Sequence, residues 1–394
     1  MSNINNINDI NKNTSPKNVS LVDKYKFSNQ YFDSPEKLKE EIIKKTIIPH
    51  QVEFQPGSSS KKICWLSCPY CYGDSALDNG DRLSGERLVE IIREVSDMGV
   101  KKVIFAGWAT DPLNSKHIDV MLETAINNNL IFGFNTKPIK VSKFFLECLH
   151  SPKVIKNSYM SLSIDAGSND VFNKVHGMKI GPPLYDRCLE NTKNICKANI
   201  NEKKIDVSAA YLVNKYNSSE KEILSFINDF RSAGCNLLRF TFAQPPRGKV
   251  DENLDTVPTQ DECNQYTKLL KKIVQKEDSE ECKILFVDAD KENDFFRKPR
   301  TLPCVARFIY PTVGFDGKLY HCSQSAAPNF KEIDLGNLKE NNFKDLYYNY
   351  DVSDFKKYFN DLGKKLEKTG CRCDRKEHTV NTKIKKSNLF QMYE

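Results

Sequence analysis

Cys64-Trp-Leu-Ser-Cys68-Pro-Tyr-Cys71 is the stretch that decides the predicted fold, because it directly follows a short β-rich run, Gln51–Gln55. Parallel β/α folds place their chemistry on loops at the carboxyl ends of strands. Three thiolates at this spacing on such a loop can converge on one metal centre. The sequence therefore predicts a metal site directly after the first strand of a parallel sheet.

Outward from this loop, short β-rich runs alternate with helical patterns, which is the signature of parallel β/α units. Residues 84–98 have apolar residues at helical spacing between a Ser84 N-cap and a Gly99 stop, and residues 219–233 repeat the pattern before Gly234. Six units in about 200 residues are too few for the eight-stranded barrel. They predict an α/β fold with a partial (β/α)6 barrel. The candidate strands are Gln51–Gln55, Lys102–Ala106, Leu130–Asn135, Tyr159–Asp165, Ile205–Leu212 and Leu237–Phe242.

The rest of the chain divides by composition. Residues 1–49 form an N-terminal extension, polar and disordered over 1–20, with a short amphipathic helix over 36–46. The barrel core covers 50–250, and 251–300 is a connection with a helix over 261–276 and a strand over Lys283–Val287. A small cysteine-containing domain covers 301–376, and 377–394 is a tail.

The cysteine-containing domain begins with a hairpin signal. Two β-rich runs, Arg307–Val313 and Lys318–Cys322, flank Gly314-Phe-Asp-Gly317. We expect the turn to bring the segments on either side of it together.

Composition excludes several classes of protein. Of 394 residues 39% are apolar and 28% charged, and no apolar run approaches the roughly 20 residues that cross a bilayer. Residues 1–18 lack the apolar core of a secretory signal, so we expect a cytoplasmic protein. The net charge of +7 comes from scattered lysines. This pattern is more typical of solvated surfaces than of a nucleic-acid binder, which concentrates basic residues in a stripe.

Thirteen cysteines without a secretory signal favour metal binding over disulfides. Three cysteine ligands leave one iron of a 4Fe–4S cluster without a protein ligand, whereas a closed electron-transfer cluster takes four. The alternative is a structural zinc site, which usually needs four ligands. The next cysteine after Cys71 is the distant Cys148. We therefore interpret Cys64, Cys68 and Cys71 as ligands of an iron–sulfur cluster.

The CxxxCxxC loop, with the aromatic Tyr70 before its last cysteine, resembles the defining motif of the radical S-adenosylmethionine superfamily. In that family the three cysteines hold a 4Fe–4S cluster whose open iron binds the methionine amino and carboxylate groups. One-electron reduction cleaves the sulfonium and releases a 5′-deoxyadenosyl radical, which abstracts hydrogen from a substrate. The resemblance implies this cofactor pair and an electron donor such as flavodoxin or ferredoxin.

Further segments resemble the cofactor-binding features of the family. Phe105-Ala-Gly107-Trp108-Ala-Thr-Asp111-Pro is similar to the glycine-rich GGEP segment, with Trp108 in place of a glycine, two inserted residues and Asp111 in place of Glu. The alternative for this segment is an ordinary βα turn with a helix-capping Asp. Ser161-Leu-Ser163-Ile-Asp165 and the later Phe172-Asn-Lys-Val-His176-Gly177 resemble another cofactor-contacting region. The cofactor contacts implied by the resemblance are Tyr70, Gly107, Trp108, Asp111, Ser163, Asp165 and, after strand five, Asn214.

Cys304, Cys322, Cys371 and Cys373 form a second set of cysteines. The spacing C-x12-G-x4-C around Gly317 resembles the SPASM or Twitch auxiliary-cluster extension. Four cysteines match the shorter, one-cluster Twitch form and imply a fully ligated second 4Fe–4S cluster. Structural zinc is the rival interpretation. The other six cysteines are interpreted as small buried core residues.

By resemblance, a fully ligated auxiliary cluster implies an electron acceptor. It points to two-electron oxidation of a small molecule, for example an alcohol of a sugar or aminocyclitol. The alternative is modification of a ribosomally made peptide, ranked second because residues 1–49 are short and polar for a leader-binding domain. A non-catalytic metal-binding protein is the alternative from another class. The catalytic acid or base and the substrate are not predicted.

Overall fold

The computed structural model describes residues 34–57, 64, 66–71, 82–107, 110–178, 181–199, 204–245, 254–287, 302–326, 333–387 and 389. The predicted disordered stretch 1–20 and the predicted site residue Trp108 lie outside these residues.

The strands are β1 (Val52–Phe54), β2 (Lys102–Phe105), β3 (Ile131–Thr136), β4 (Ser158–Ser163), β5 (Ile205–Val213), β6 (Leu237–Phe242), β7 (Lys283–Phe286), β8 (Thr312–Val313), β9 (Lys318–Tyr320) and β10 (Gly336–Asn337). The helices are α1 (Pro35–Ile43), α2 (Gly85–Asp97), α3 (Ile118–Asn127), α4 (Lys143–Leu149), α5 (Asn169–Val175), α6 (Leu184–Ala198), α7 (Glu220–Ser232), α8 (Gln260–Glu277), α9 (Ala306–Ile309), α10 (Phe343–Tyr348), α11 (Phe355–Lys368) and α12 (Arg375–Lys386).

One sheet carries the described strands in the order β10-β9-β8-β1-β2-β3-β4-β5-β6-β7. Strands β1 to β7 run parallel, and helices follow each of β1 to β6 along the chain. The sheet does not close on itself, since β10 and β7 form its edges. The predicted partial (β/α)6 barrel with a C-terminal extension is confirmed.

Helix α2 shows how the sequence forms these units. The Ser84 side chain accepts a hydrogen bond from the Arg87 backbone N–H and so caps the helix start. Buried apolar residues, among them Leu88 and Ile92, face the sheet. Gly99, with φ of +95°, ends the turn in a conformation that favours glycine. The helix therefore packs against the sheet on the side opposite the interior face of the partial barrel.

The C-terminal hairpin extends the barrel sheet beyond β1. Strand β8 lies parallel to β1, with Glu53 opposite Thr312, and β9 returns antiparallel to β8. The predicted turn at Gly314–Gly317 is confirmed, and Gly317 has φ of +80°. The cysteine-containing domain therefore starts directly beside the strand that leads to the first cysteine loop.

The predicted strand Arg307–Val313 is wrong over most of its length. Residues 306–309 form the short helix α9, and only Thr312–Val313 are extended. The buried Arg307 guanidinium donates to the Tyr347 carbonyl oxygen and to the Tyr358 hydroxyl, both at 3.0 Å. These contacts join Arg307 to residues 40 and 51 positions later in the chain, which the local apolar pattern that favours a strand does not include.

Helix α2 also fastens the C-terminal segments to the barrel. Arg87 Nε donates to the Leu338 carbonyl oxygen at 2.8 Å, and the Phe343 backbone N–H donates to Glu94 Oε2 at 2.7 Å. Arg87 and Glu94 form an ion pair at 2.6 Å. The barrel and the C-terminal segments are thus joined by buried and half-buried polar contacts as well as by the shared sheet.

Helix α1 packs on the C-terminal side of the structure. The Tyr350 hydroxyl donates to the Ile42 carbonyl oxygen at 2.9 Å, and the Tyr348 hydroxyl donates to that of Ile47 at 2.9 Å. Among the described residues no helix is long and apolar enough to cross a membrane.

Candidate functional site

The first cysteine loop lies at the carboxyl end of β1. Its backbone is held to the end of α5, because the Ser67 N–H donates to the His176 carbonyl oxygen at 3.0 Å. The Cys71 N–H donates to the Cys68 carbonyl oxygen at 3.0 Å, which makes a tight turn between these two thiols. None of the thirteen cysteines forms a disulfide. The structure thus places Cys64, Cys68 and Cys71 as thiols on the loop that the sequence predicted.

Burial keeps the Cys64 and Cys68 thiols protonated. It raises the pKa of Cys68 to about 12, against the opposing effect of the Lys137 ammonium, and it raises the pKa of Cys64. A metal centre binds thiolates, so loading this site would release protons.

Asp165 is the centre of a buried polar network beneath the loop. Its Oδ2 accepts from the Tyr70 hydroxyl at 3.1 Å and from Lys137 Nζ at 2.9 Å, and it lies 3.6 Å from His176 Nε2. Its Oδ1 accepts from the Leu212 backbone N–H at 2.8 Å. Since Tyr70 lies between two of the loop cysteines, this network fixes the loop to the ends of β3, β4 and β5.

Asp165 is ionised in this network. Burial alone would raise the pKa of this carboxyl, but the Lys137 ammonium and the Leu212 N–H hold it well below its ordinary value. Asp165 is fully buried and has a positive φ of +63°. Such a backbone conformation persists only where the surrounding contacts over-determine it.

Lys137 is a site residue that the sequence reasoning missed. Its side chain also donates to the Ser163 carbonyl oxygen at 3.0 Å. Lys137, which follows β3, therefore contacts the end of β4 as well as Asp165. Burial would lower the pKa of Lys137, but Asp165 and Cys68 raise it above its ordinary value. The available signal was its position one residue after β3, at the same edge of the sheet as the cysteine loop.

His176 is neutral and carries its proton on Nδ1, because Nδ1 lies 2.7 Å from the Phe172 carbonyl oxygen, which can only accept. Burial, aided by Lys137, lowers the pKa of His176 from 6.5 to about 4. The sequence motif included His176, but it was not among the predicted site residues.

The pKa of His176 predicts a loss of stability in mild acid. The unfolded chain binds a proton at this histidine below about pH 6.5, whereas the folded chain resists protonation until the pH approaches 4. We expect this residue to lower the free energy of unfolding by about 2 kcal/mol between pH 7 and pH 5. Urea unfolding of the metal-free, reduced protein at the two pH values measures it. His176→Gln should show a smaller drop, and an equal drop in both proteins would contradict the assignment.

Asp111 caps a 3₁₀ turn and also joins β2 to β3. Its Oδ1 accepts from the Leu113 N–H at 2.9 Å and from the Thr136 hydroxyl at 2.6 Å, and its Oδ2 accepts from the Lys137 N–H at 2.6 Å. Both carboxylate oxygens therefore have backbone or hydroxyl donors from the chain itself. The capping interpretation describes what the Asp111 side chain does in this structure.

Gly107 lies at the edge of the same loop, in a position that admits no side chain. A Cβ built there would overlap the Thr110 carbonyl oxygen. The close approach of two backbone segments therefore requires glycine.

Ser163 and Asn214 lie at the ends of β4 and β5. Ser163 is half-buried, and its carbonyl accepts from Lys137. Asn214 is fully buried, and its side chain closes its own turn by donating to the Leu212 carbonyl oxygen and accepting from the Tyr216 N–H. The structure thus brings Ser163 to the Asp165 network, whereas the Asn214 amide serves the turn after β5.

The second cysteine set is buried at the junction of β9, α9 and the loop before α12. Cys322, Cys371 and Cys373 are 5–6% exposed, and burial raises the pKa of Cys304 to about 12, with Cys371 adding to the rise. Phe315, Leu362 and Leu366 form an apolar cluster with Cys371. The structure therefore brings Cys304 close to Cys371, from segments about 70 residues apart in the chain, while Cys322 packs in the main apolar cluster.

Both cysteine sets suit a soft metal centre by the chemistry of their donors, which are half-buried or buried thiols without disulfide partners. In the described part of the chain, no three Cys, His, Asp or Glu side chains stand close enough to hold a single metal ion. Thiolates around one zinc lie about 3.8 Å apart, because Zn–S bonds are about 2.3 Å. An iron–sulfur cluster is larger and spaces its thiolates more widely. The donor chemistry fits an iron–sulfur cluster at each site. A measurement of iron content distinguishes such a cluster from a zinc ion.

The remaining six cysteines pack in the core, as predicted. Cys196 is half-buried, and the other five are buried in the main apolar cluster. These five are Cys148, Cys188, Cys235, Cys263 and Cys282.

Comparison with known proteins adds a family match and a set of similar folds. The family model described as the radical SAM superfamily matches residues 59–230. No curated protein sequence matches the chain. Among solved structures, SuiB of Streptococcus suis bound to S-adenosylmethionine has a TM-score of 0.55 at 15% identity, over 83% of this chain and 75% of that chain.

Two similar structures contain peptides. SuiB bound to precursor peptide SuiA has a TM-score of 0.54 at 16% identity, over 80% of this chain and 68% of that chain. Native anSMEcpe with bound AdoMet and Cp18Cys peptide has a TM-score of 0.53 at 15% identity, over 76% of this chain and 80% of that chain. At these identities the likeness establishes the shared fold.

Proposed function

We propose that this radical S-adenosylmethionine enzyme abstracts hydrogen from a peptide and passes the remaining electron to a cluster in its C-terminal module. The observation that carries the proposal is the loop of Cys64, Cys68 and Cys71 at the carboxyl end of β1, fixed to the barrel through Tyr70 and Asp165. A second, four-cysteine set lies in the module that begins beside β1.

The three loop cysteines would hold a 4Fe–4S cluster that, with bound S-adenosylmethionine, supplies a 5′-deoxyadenosyl radical after one-electron reduction. The chain's own part is to hold the loop in place and keep water away. Tyr70 anchors the loop to the ionised Asp165, which is paired with Lys137, and the apolar side chains of Val175 and Ala243 pack against Tyr70. The residues that we propose to line the cofactor site are Tyr70, Gly107, Trp108, Asp111, Ser163, Asp165 and Asn214.

Gly107 offers a direct test of this cofactor site. Gly107→Ala would displace the Thr110 backbone at a cost of roughly 1–3 kcal/mol and so distort the loop between β2 and Asp111. We expect the Kd for S-adenosylmethionine to rise about tenfold or more, since 1.4 kcal/mol corresponds to a factor of ten. Equilibrium dialysis of the anaerobically reconstituted protein measures this Kd.

Gly181→Ala is the matched control for this substitution. Its new methyl group would meet the flexible end of the Met178 side chain, which can move aside. If Gly107→Ala and Gly181→Ala had equal Kd values for S-adenosylmethionine, Gly107 would not belong to the proposed site.

We propose that the C-terminal module runs from about residue 301 through α12. The four cysteines Cys304, Cys322, Cys371 and Cys373 are its candidate ligands for a second 4Fe–4S cluster. The tail expected from residue 377 begins inside α12, whose buried residues Val380 and Ile384 pack in the main core. The barrel core 50–250 and the connection 251–300 keep their proposed limits.

The proposed oxidation balances in atoms and electrons. One hydrogen atom of a substrate C–H bond goes to 5′-deoxyadenosine. The substrate would then give up one proton to solvent and one electron to the second cluster, for which Cys304, Cys322, Cys371 and Cys373 are the candidate ligands, so that it is oxidised by two electrons overall. A ferredoxin or flavodoxin would supply the electron that starts each turnover.

A peptide is proposed as the substrate because SuiB and anSMEcpe, which share the fold, have been solved with peptides bound. Oxidation of a small-molecule alcohol, which the sequence favoured, is the second candidate. The observation that favours it is the position of α1. Helix α1 buries Leu38 and Ile42 in the main core and is bonded to Tyr350 through the Ile42 carbonyl, so it is built into the structure and does not form a separate leader-binding domain.

Transfer of deuterium into 5′-deoxyadenosine tests both candidates. The reconstituted enzyme, S-adenosylmethionine and dithionite would be incubated with a perdeuterated tryptic digest or a perdeuterated low-mass metabolite fraction from cells that make the protein. Mass spectrometry should find deuterated 5′-deoxyadenosine with the digest. Deuterium from the metabolite fraction alone would support the second candidate, and none from either would contradict both.

A further inference from the structure

Asn381 is a fully buried asparagine on α12 that contacts the second cysteine set. Its Nδ2 lies 3.8 Å from Cys373 Sγ, within the range for a hydrogen bond to sulfur. Its amide also interacts with the Cys304 thiol, whose pKa burial raises and Asn381 lowers. The Asn381 amide therefore interacts with two of the four cysteines, Cys373 and Cys304.

The orientation of this amide is fixed by the backbone. The Val305 N–H donates to Asn381 Oδ1 at 3.0 Å, and a buried N–H must find an acceptor. Because Oδ1 is held in this way, the two N–H groups on Nδ2 face the cysteines. A reversed amide would leave the Val305 N–H without an acceptor and would point an oxygen at the sulfurs.

We propose that Asn381 is a positioning residue of the C-terminal cluster, donating N–H···S hydrogen bonds that raise the reduction potential of that cluster. The inference rests on the proposed function, in which these cysteines hold iron and sulfide. A reduced cluster carries more negative charge on its sulfurs than an oxidised one. Hydrogen bonds to a charged acceptor are stronger, so the donor stabilises the reduced form more. The result is a better acceptor for the electron that the substrate radical gives up.

Asn381→Asp removes the donor and keeps the side-chain shape, but its added charge would itself lower the potential, so the uncharged Asn381→Leu separates loss of the donor from the charge effect. The aspartate has the same shape and can still accept from the Val305 N–H, but it presents a carboxylate oxygen where Asn381 presents N–H. The matched control is Asn341→Asp, which makes the same chemical change at an exposed residue that donates to the Asn337 carbonyl oxygen. Asn381→Leu is a second, uncharged variant that lacks the donor.

The experiment uses the full chain with Cys64, Cys68 and Cys71 replaced by alanine, so that the C-terminal cluster is observed alone. Iron and zinc are counted first, and the midpoint potential is then measured by titration monitored by electron paramagnetic resonance. All titrations are made at pH 8, above the pKa of about 7 to which burial raises the nearby Glu377.

We expect about four irons in the parent and a more negative midpoint potential in Asn381→Asp and Asn381→Leu. Asn341→Asp should match the parent. Loss of iron from Asn381→Asp, with iron kept in Asn341→Asp, would also support the role. A potential equal to that of the parent in either Asn381 variant would overturn it. Zinc instead of iron in the parent would overturn the proposed second cluster and, with it, this role. The metal count therefore distinguishes the two failures.

Discussion

Replacing Cys64, Cys68 and Cys71 together by alanine is expected to reduce 5′-deoxyadenosine formation to the level of a protein-free control. The three thiols are the only cysteines on the loop at the carboxyl end of β1. Without them the open-iron cluster has no ligands, and the reductive cleavage of S-adenosylmethionine has no other site. The measurement is liquid chromatography of 5′-deoxyadenosine after anaerobic incubation with dithionite.

Cys148→Ala provides the control for the loss of a thiol. Cys148 is buried in α4, away from either cysteine set along the chain, and should contribute only to packing. This variant is expected to keep its 5′-deoxyadenosine yield per iron. A triple variant that still formed 5′-deoxyadenosine at the parental rate would show that the loop is not the site of cleavage.

Breaking the Asp165–Lys137 pair is expected to cost about 3–5 kcal/mol of folding stability, because either single substitution leaves the other charge buried without its partner. The two side chains are 1% and 13% exposed, so solvent cannot replace the missing charge. Asp165→Asn keeps an acceptor for the Leu212 N–H and removes the negative charge beside Lys137. Lys137→Met removes the ammonium and keeps much of the side-chain volume.

The double variant separates charge pairing from packing. Asp165→Asn combined with Lys137→Met removes both charges, so it should be more stable than either single variant. Urea unfolding of the reduced, metal-free proteins gives the three differences in the free energy of unfolding. Strict additivity of the two single effects would contradict a direct ion pair.

The strands of the barrel were predictable because each follows from a local pattern. The β-rich run predicted at Lys102–Ala106 corresponds to β2 at Lys102–Phe105, and the other candidate strands agree within two residues at each end. Helix α7, Glu220–Ser232, matches the predicted stretch 219–233 for the same reason: the apolar spacing and the Gly234 stop lie within one short window. The first cysteine loop could be found because its three thiols are close together in sequence.

The network beneath that loop could not be found in the same way. Lys137 and Asp165 are 28 residues apart, and Tyr70 and Asp165 are 95 apart. Their contact arises because parallel strands end at one edge of the sheet, and that edge carries many polar residues without a role. A single sequence gives no sign of which of these will meet.

The C-terminal module shows the same limit. Arg307 lies in an apolar run that favours a strand, but its buried guanidinium has its partners on α10 and α11, 40 and 51 positions later in the chain. Asn381 lies in a segment that was predicted to be a polar tail. Its proposed role rests on contacts with Val305 and Cys373, which are distant in sequence. Tertiary contacts decided both cases against the local pattern.

The most direct measurement of the central claim is the iron and sulfide content after anaerobic reconstitution, on the intact protein and on the Cys64/Cys68/Cys71→Ala variant. The proposal predicts about eight irons falling to about four, one 4Fe–4S cluster for each cysteine set. About four irons falling to none would leave the C-terminal cysteines to zinc or to no metal. The proposed electron acceptor would then be contradicted. An iron content unchanged by the triple substitution would contradict the assignment of the first cluster to the loop after β1.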